Sequence, residues 1–265
     1  CPPLGGNTGV VDSRGTTFQP ESCQDSAYLA MSNDEGLNYT FLPVPTAPPN
    51  PSLTSGNIQL VMDGSDNLYV GFISADRLML TVSRDHGQSW SAPANVTAPG
   101  VHDLVLPAIA AGPRGAVGFT YYGRPGDTTT GAEDAYVTET TDALDNQPLW
   151  FSGVINDPAH PIYYAGGLTT YPRADYVDGT YDAAGNFWAG ITRQLGPPDS
   201  NNNIATTGYV GRLVTPRAPP TTANQPPVVL PNTGRPGPRV AGLLIVTLAL
   251  VVGLLRVLTP HPRAD

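Results

Sequence analysis

LMLTVSRDHGQSWSAPANV, residues 78–96, holds the turn on which the reading of this chain rests. An alternating apolar run ends at Ser83, a compact turn carries Asp85 and Gly87, and Trp90 opens a second extended run. Period-two alternation predicts a strand on either side. Each turn residue has a mechanical task. Ser83 and Asp85 can take up turn amides through their side-chain oxygens. Gly87 can adopt a positive φ that a Cβ would penalise. Trp90 can bury a large apolar surface between sheets. None of these tasks needs a ligand.

The pattern recurs. AYLAMSNDEGLNYTFLPV, residues 27–44, repeats it with Ser32, Asp34, Gly36 and Tyr39. AYVTETTDALDNQPLWFSGVI, residues 135–155, keeps Thr140, Asp142 and Trp150 but lacks the glycine and is longer. Asp34, Asp85 and Asp142 stand 51 and 57 residues apart, close to the roughly 40–50-residue period of four-stranded propeller blades. The form S-x-D-x-G-x-x-W resembles the Asp-box, or bacterial neuraminidase repeat, of sialidase-like β-propellers. The flanking DNLYVGF (66–72) and LPAIAAGPRGAVGFTYYG (106–123) are similar to the text around such boxes. The resemblance covers about residues 1–214 and implies an all-β, sialidase-like β-propeller. In that family the box is structural and occurs in enzymes and non-catalytic proteins alike, so it speaks to fold and not to function.

Alternation and turn residues place strands near 8–12, 16–20, 27–32 and 39–44, then 57–62, 68–73, 78–83 and 89–96. A third group falls near 104–111, 116–122, 135–140 and 149–155, and a fourth near 174–181, 186–193 and 205–214. About four blades are therefore visible, against six in the family. The chain opens CPPLGGNTGV, with neither Met nor an export signal, so an N-terminally incomplete propeller is expected.

Composition agrees with this reading. Gly and Pro, 29 each, interrupt helices too often for a helical architecture, while 40% hydrophobic residues suffice for a core. All 13 basic residues are Arg, against 22 acids. A net charge of −9 argues against nucleic acid as a partner. The charge is uneven: residues 1–214 hold 8 Arg and 21 acids, and residues 215–265 hold 5 Arg and 1 acid. That shift marks a domain boundary.

Residues 215–239 contain eight prolines, the mark of an extended linker. VAGLLIVTLALVVGLL follows at 240–255, and with Val257 and Leu258 it reaches the length of one transmembrane helix, 240–258, before a short cytoplasmic tail, 259–265. Before it stands Leu230-Pro231-Asn232-Thr233-Gly234. Motif, apolar segment and basic tail in that order resemble the LPxTG sorting signal of sortase substrates. The resemblance implies cleavage after Thr233 and transfer to a bacterial cell wall. A plain membrane anchor is the other reading, and both place residues 1–214 outside the cell. In that compartment Cys1 and Cys23 are expected to form a disulfide.

In a blade of four up-and-down strands, the 1→2 and 3→4 turns share one face. The box turns lie there, with Arg14, Arg84 and Arg114 expected as solvated turn residues. The 2→3 loops and the blade connections share the other face, where the long loops fall. Those loops bring Arg77, Arg124, Arg173, Asp175, Tyr176 and Arg193 to one rim as candidate ligand-face residues, with Glu133, Asp134, His102 and Asp103 nearby. Resemblance to sialidases implies an Arg cluster for a carboxylate, a Tyr–Glu nucleophile pair and an Asp acid/base. The family's Arg-Ile-Pro motif is absent, and no catalytic residue is assigned. DGSDN at 63–67 and DAAGN at 182–186 lack the spacing of a calcium loop and read as hairpin turns. No cofactor and no metal are expected. The functional expectation is a cell-surface-anchored, non-catalytic module binding a glycan or surface protein. The alternative is an exo-sialidase or related glycoside hydrolase whose N-terminal catalytic blades lie outside this chain.

Overall fold

A computed structural model describes residues 8–23, 26–46, 58–126, 133–160, 162, 177–195 and 205–213. The linker, the LPNTG motif and the apolar segment beyond residue 214 lie outside these, as do Cys1 and with it the expected disulfide. The described residues contain strands and turns and no helix.

Among the described residues, fifteen strands form four antiparallel sheets, each in chain order. The first sheet holds β1 (Val10–Val11), β2 (Thr17–Cys23), β3 (Ser26–Ser32) and β4 (Thr40–Val44). The second holds β5 (Ile58–Met62), β6 (Leu68–Ser74), β7 (Arg77–Ser83) and β8 (Ala94–Asn95). The third holds β9 (Val101–Ala111), β10 (Val117–Pro125), β11 (Asp134–Thr140) and β12 (Phe151–Val154). The fourth holds β13 (Asp178–Tyr181), β14 (Phe187–Gln194) and β15 (Thr206–Gly211). The first strands lie side by side: β1 touches β5, β5 touches β9, and β9 touches β13. Sheets stacked face to face about their first strands have the arrangement of propeller blades.

Strands β6 and β10 are buried on both faces, which is why they read as nearly continuous apolar text. From β6, Leu68, Val70 and Phe72 pack on Phe18, Leu29 and Val44 of the first sheet. Tyr69, one residue out of phase, packs with Val117, Phe119 and Tyr121 of the third. Phe187, Ala189 and Ile191 close the next layer against Val137 and Ile155. Glycines set the approach. A Cβ on Gly71 would lie 2.5 Å from the Phe119 ring, and one on Gly118 would lie 2.5 Å from that of Phe187.

The repeated S-x-D turns are held by their own side chains. Ser83 Oγ donates to Asp85 Oδ1 and accepts from Gly87 N, both at 2.8 Å, while Asp85 Oδ1 accepts Ser89 N. Ser32, Asp34, Gly36 and Asn38 repeat the arrangement. In the longer third copy Asp142 Oδ1 accepts Leu149 N, seven residues on, so the turn closes without the glycine. Trp90 packs on the core between the first two sheets, and Trp150 on the core between the second and third. Tyr39 is 48% exposed.

A second repeated turn joins strands one and two. Asp12, Asp63 and Asp182 each accept, through Oδ1, the amides of the residues two and four places on. This assigns DGSDN and DAAGN to turn chemistry. The third sheet has Gly112 where the others have Asp, and its Gly115 amide instead donates to Asp63 Oδ2 of the second sheet, at 3.0 Å. Ser13 likewise donates its amide and hydroxyl to Asp66 across the first two sheets. Arg84 is exposed, as expected of a turn residue, and also donates to the Leu144 carbonyl of the third sheet.

Burial works against the Asp63 carboxylate, but Asn67, the Tyr69 hydroxyl and the Gly115 amide outweigh it and hold its pKa below 3.8. A lowered folded-state pKa adds stability that is complete above about pH 4 and is lost as pH falls below it. In urea, Asp63→Asn is expected to cost about 2 kcal/mol at neutral pH and to flatten the acid limb below about pH 4. Gly71→Ala is expected to cost about 1–3 kcal/mol by overpacking on Phe119. Gly190, over which nothing among the described residues lies within 4 Å, is the control: Gly190→Ala is expected to be neutral or stabilising by up to about 1 kcal/mol.

Candidate functional site

The 2→3 hairpins and the blade connections end on one face, and charged side chains gather there from the second and third sheets. The β6–β7 hairpin turns on Ala75 and Asp76, both at positive φ (46° and 57°), the geometry of a tight two-residue loop. Asp76 then caps the third sheet, its two carboxylate oxygens accepting the amides of Asp103 and Leu104 at 2.9 and 3.0 Å. Asp103 is itself at φ 52°.

Pro107 interrupts β9, where it can donate no ladder hydrogen bond. The β9–β10 register shifts twice beyond Thr120, and these shifts set Arg124 opposite His102. Arg124 donates to Asp103 at 2.8 Å and to Glu133 at 3.0 Å. Its side chain is 19% exposed and that of Glu133 is fully buried. His102 Nδ1 stands 3.4 Å from Asp103.

Next to this ion triplet Asn156 binds the start of β11 from both sides. Its Oδ1 accepts Ala135 N at 2.7 Å and its Nδ2 donates to Asp134 at 2.8 Å. Burial pushes the Asp134 carboxyl above the ordinary carboxylate range, and the Asn156 hydrogen bond offsets only part of this. Ile162 bridges the sheets, donating its amide to the Glu133 carbonyl and accepting Gln194 N. The Tyr122 hydroxyl clasps Thr192, accepting its amide and donating to its carbonyl, both at 3.1 Å. Arg193 follows at the end of β14, with its Nε buried and without a hydrogen-bond partner.

The candidate arginines thus differ in kind. Arg124 is committed to two carboxylates inside the chain. Arg77 opens β7 and is exposed, and among the described residues neither it nor Arg193 joins an ion pair. Arg173, Asp175 and Tyr176 lie outside the described residues. Sequence reasoning missed Asp76 and Asn156. Only the unusual Ala75-Asp76 hairpin and the Asn156-Asp157-Pro158 turn signal could have drawn attention to them.

Asp76, His102 and Asp103 bring potential metal-ligand atoms within 4.8 Å of one another. Arg124 already compensates Asp103, and both Asp76 oxygens hold backbone amides.

No protein-family model matches this chain, and no curated protein matches it. Solved structures are similar to it. NanB sialidase from Streptococcus pneumoniae, in complex with 2-[(3-chlorobenzyl)ammonio]ethanesulfonate, aligns with TM-score 0.49 and 14% identity over 77% of this chain and 30% of that one. An α-L-arabinanase of Penicillium chrysogenum complexed with arabinobiose aligns with TM-score 0.46 and 15% identity over 76% and 60%. The leech intramolecular trans-sialidase aligns with TM-score 0.45 and 14% identity over 76% and 30%. This chain spans less than two thirds of the length of each. The alignments assign no role to any residue here.

Removing Arg124 withdraws the charge partner of a buried Glu133. Arg124→Ala is expected to cost about 3 kcal/mol in urea unfolding, and Arg77→Ala less than about 0.5 kcal/mol. Equal losses would contradict the division of roles between the two.

Proposed function

We propose that this chain is part of a sialidase-like β-propeller that acts as a binding module. Its loop face takes a carboxylate-bearing ligand, either an acidic glycan or an acidic segment of a surface protein. The reading rests on one observation: Arg77 and Arg193 lie on that face without ion pairs among the described residues, while Asp76, Asp103 and Glu133 are already occupied. The exposed guanidinium of Arg77, and that of Arg193 without an ion pair among the described residues, suit bidentate capture of a carboxylate. Glu133 and Asp103 are paired with Arg124, and Asp76 with amides, which leaves them poorly placed for acid–base work.

One observation favours the glycoside hydrolase alternative. Asp134 has a raised pKa on the same face, as a general acid requires. In that reading Asp134 protonates a leaving group, and the remaining chemistry comes from residues outside those described.

The chain's place in the cell is part of the same proposal. The LPNTG motif, the apolar segment and the basic tail support an extracellular module anchored at a bacterial surface, through sortase or through a retained helix.

Binding of 3′-sialyllactose that is lost in Arg77→Ala or Arg193→Ala and is absent with lactose supports the binding module. Equal binding of both sugars, or none, contradicts it. Turnover of a fluorogenic sialoside or arabinofuranoside, abolished in Asp134→Asn, would establish the hydrolase instead. Mass spectrometry of wall digests tests anchoring: sortase processing predicts a C-terminal peptide ending at Thr233, and continuation past Gly234 contradicts it.

A further inference from the structure

The opposite face carries a cavity that the binding reading does not use. It lies where the 1→2 turn of the first sheet meets the S-x-D turn of the second, and its volume is about 450 Å³. Three turns allow an internal comparison, since Asp12, Asp63 and Asp182 make the same Oδ1 contacts. In two of them the second oxygen accepts two side-chain donors of its own hairpin. Asp63 Oδ2 accepts from Asn67 and Tyr69, and Asp182 Oδ2 from Asn186 and Trp188. The first sheet has Thr16 and Phe18 at those two positions, and Phe18 has no donor to offer.

The second oxygen of Asp12 is thereby released to other partners. Arg14 Nη2 and His86 Nδ1 both stand 3.2 Å from it, and the Asp12 side chain is fully buried. Burial alone would raise the Asp12 pKa, but the Thr16 and Arg14 amides and the Arg14 guanidinium outweigh it and keep it ionised. His86 Nδ1 is buried against Asp12 outside hydrogen-bond geometry, while the imidazole side chain is 30% exposed and lines the cavity. Arg14 and His86 line the cavity together with Asn33 and Gln88, over Phe18 and Met31. Asp85 is on its wall, its oxygens held by Ser83 and Ser89.

Charge selects the class of ligand. Arg14 is balanced by Asp12, and Asp85 adds a negative charge, so an anion gains nothing here. Guanidinium, imidazole and two amides around an apolar floor offer many donors and acceptors at a size suited to one or two sugar rings. We propose that this cavity is a second ligand site, separate from the loop face, that binds a neutral saccharide.

Saturation-transfer NMR and calorimetry of the whole chain with maltose, cellobiose and arabinobiose test the assignment. At least one is expected to bind with Kd below about 10 mM, weakened about tenfold or more by Arg14→Ala and by Gln88→Ala. The described polar partners of the Asp12 carboxylate are Arg14, Thr16 and His86 and not Gln88, so the Gln88 variant separates lost binding from a disturbed turn. Arg77→Ala is expected to leave this binding unchanged, whereas it should abolish capture of 3′-sialyllactose at the loop face. Absence of neutral-sugar binding up to about 10 mM overturns the proposal, as does binding indifferent to Arg14 and Gln88 or lost with Arg77.

Discussion

The structure depends on how closely successive sheets can approach. Aromatic rings of one sheet lie over glycines of the sheet before it: Phe119 on Gly71, Phe187 on Gly118 and Tyr181 on Gly112. A single Cβ at any of these points would meet a ring at about 2.5 Å, well inside van der Waals contact. Strands buried on both faces have no polar side to offer water, so the hydrogen-bonding work moves to the strand ends. The two faces of the stack carry the chain's polar chemistry for that reason.

On one face the work is done by short side chains acting within and between turns. Asp63 serves its own hairpin, Tyr69 of its own sheet and Gly115 of the next. Such shared acceptors tie neighbouring sheets together where no strand pairing joins them. On the other face the same logic uses longer side chains. Asp76 caps the third sheet from the second, and Arg124 draws Asp103 and Glu133 into one triplet. A residue recruited in this way is occupied inside the chain, and Arg77 and Arg193, which join no ion pair among the described residues, are the ones we propose for ligand chemistry.

The strands were largely legible because their signals are local. Alternation around Ser83 and Asp85 placed β7, and the apolar text 68–73 placed β6. The third copy of the S-x-D turn was legible in Thr140 and Asp142, but its closure through Leu149 was not, since nothing in the spacing names the amide that replaces the glycine. The sites were far less legible. Asp12 and His86 are 74 positions apart in sequence, Tyr122 and Thr192 are 70 apart, and Ser13 and Asp66 are 53 apart. Sheet stacking makes those contacts, and no periodicity encodes them. Arg124 illustrates the limit: its place on the long-loop face could be read from the sequence, but its capture by two carboxylates depends on the register shifts beyond Thr120.

The central functional proposal is that the loop face, with Arg77 exposed and Arg193 beside no described ion-pair partner, meets the carboxylate-bearing ligand. Amide chemical-shift mapping during titration with 3′-sialyllactose tests it most directly. The account predicts shifts at residues 75–77, 101–104, 122–124 and 192–195, with the turn residues 12–16 and 83–90 unmoved. Shifts confined to those turns, or none at saturating sugar, would contradict it.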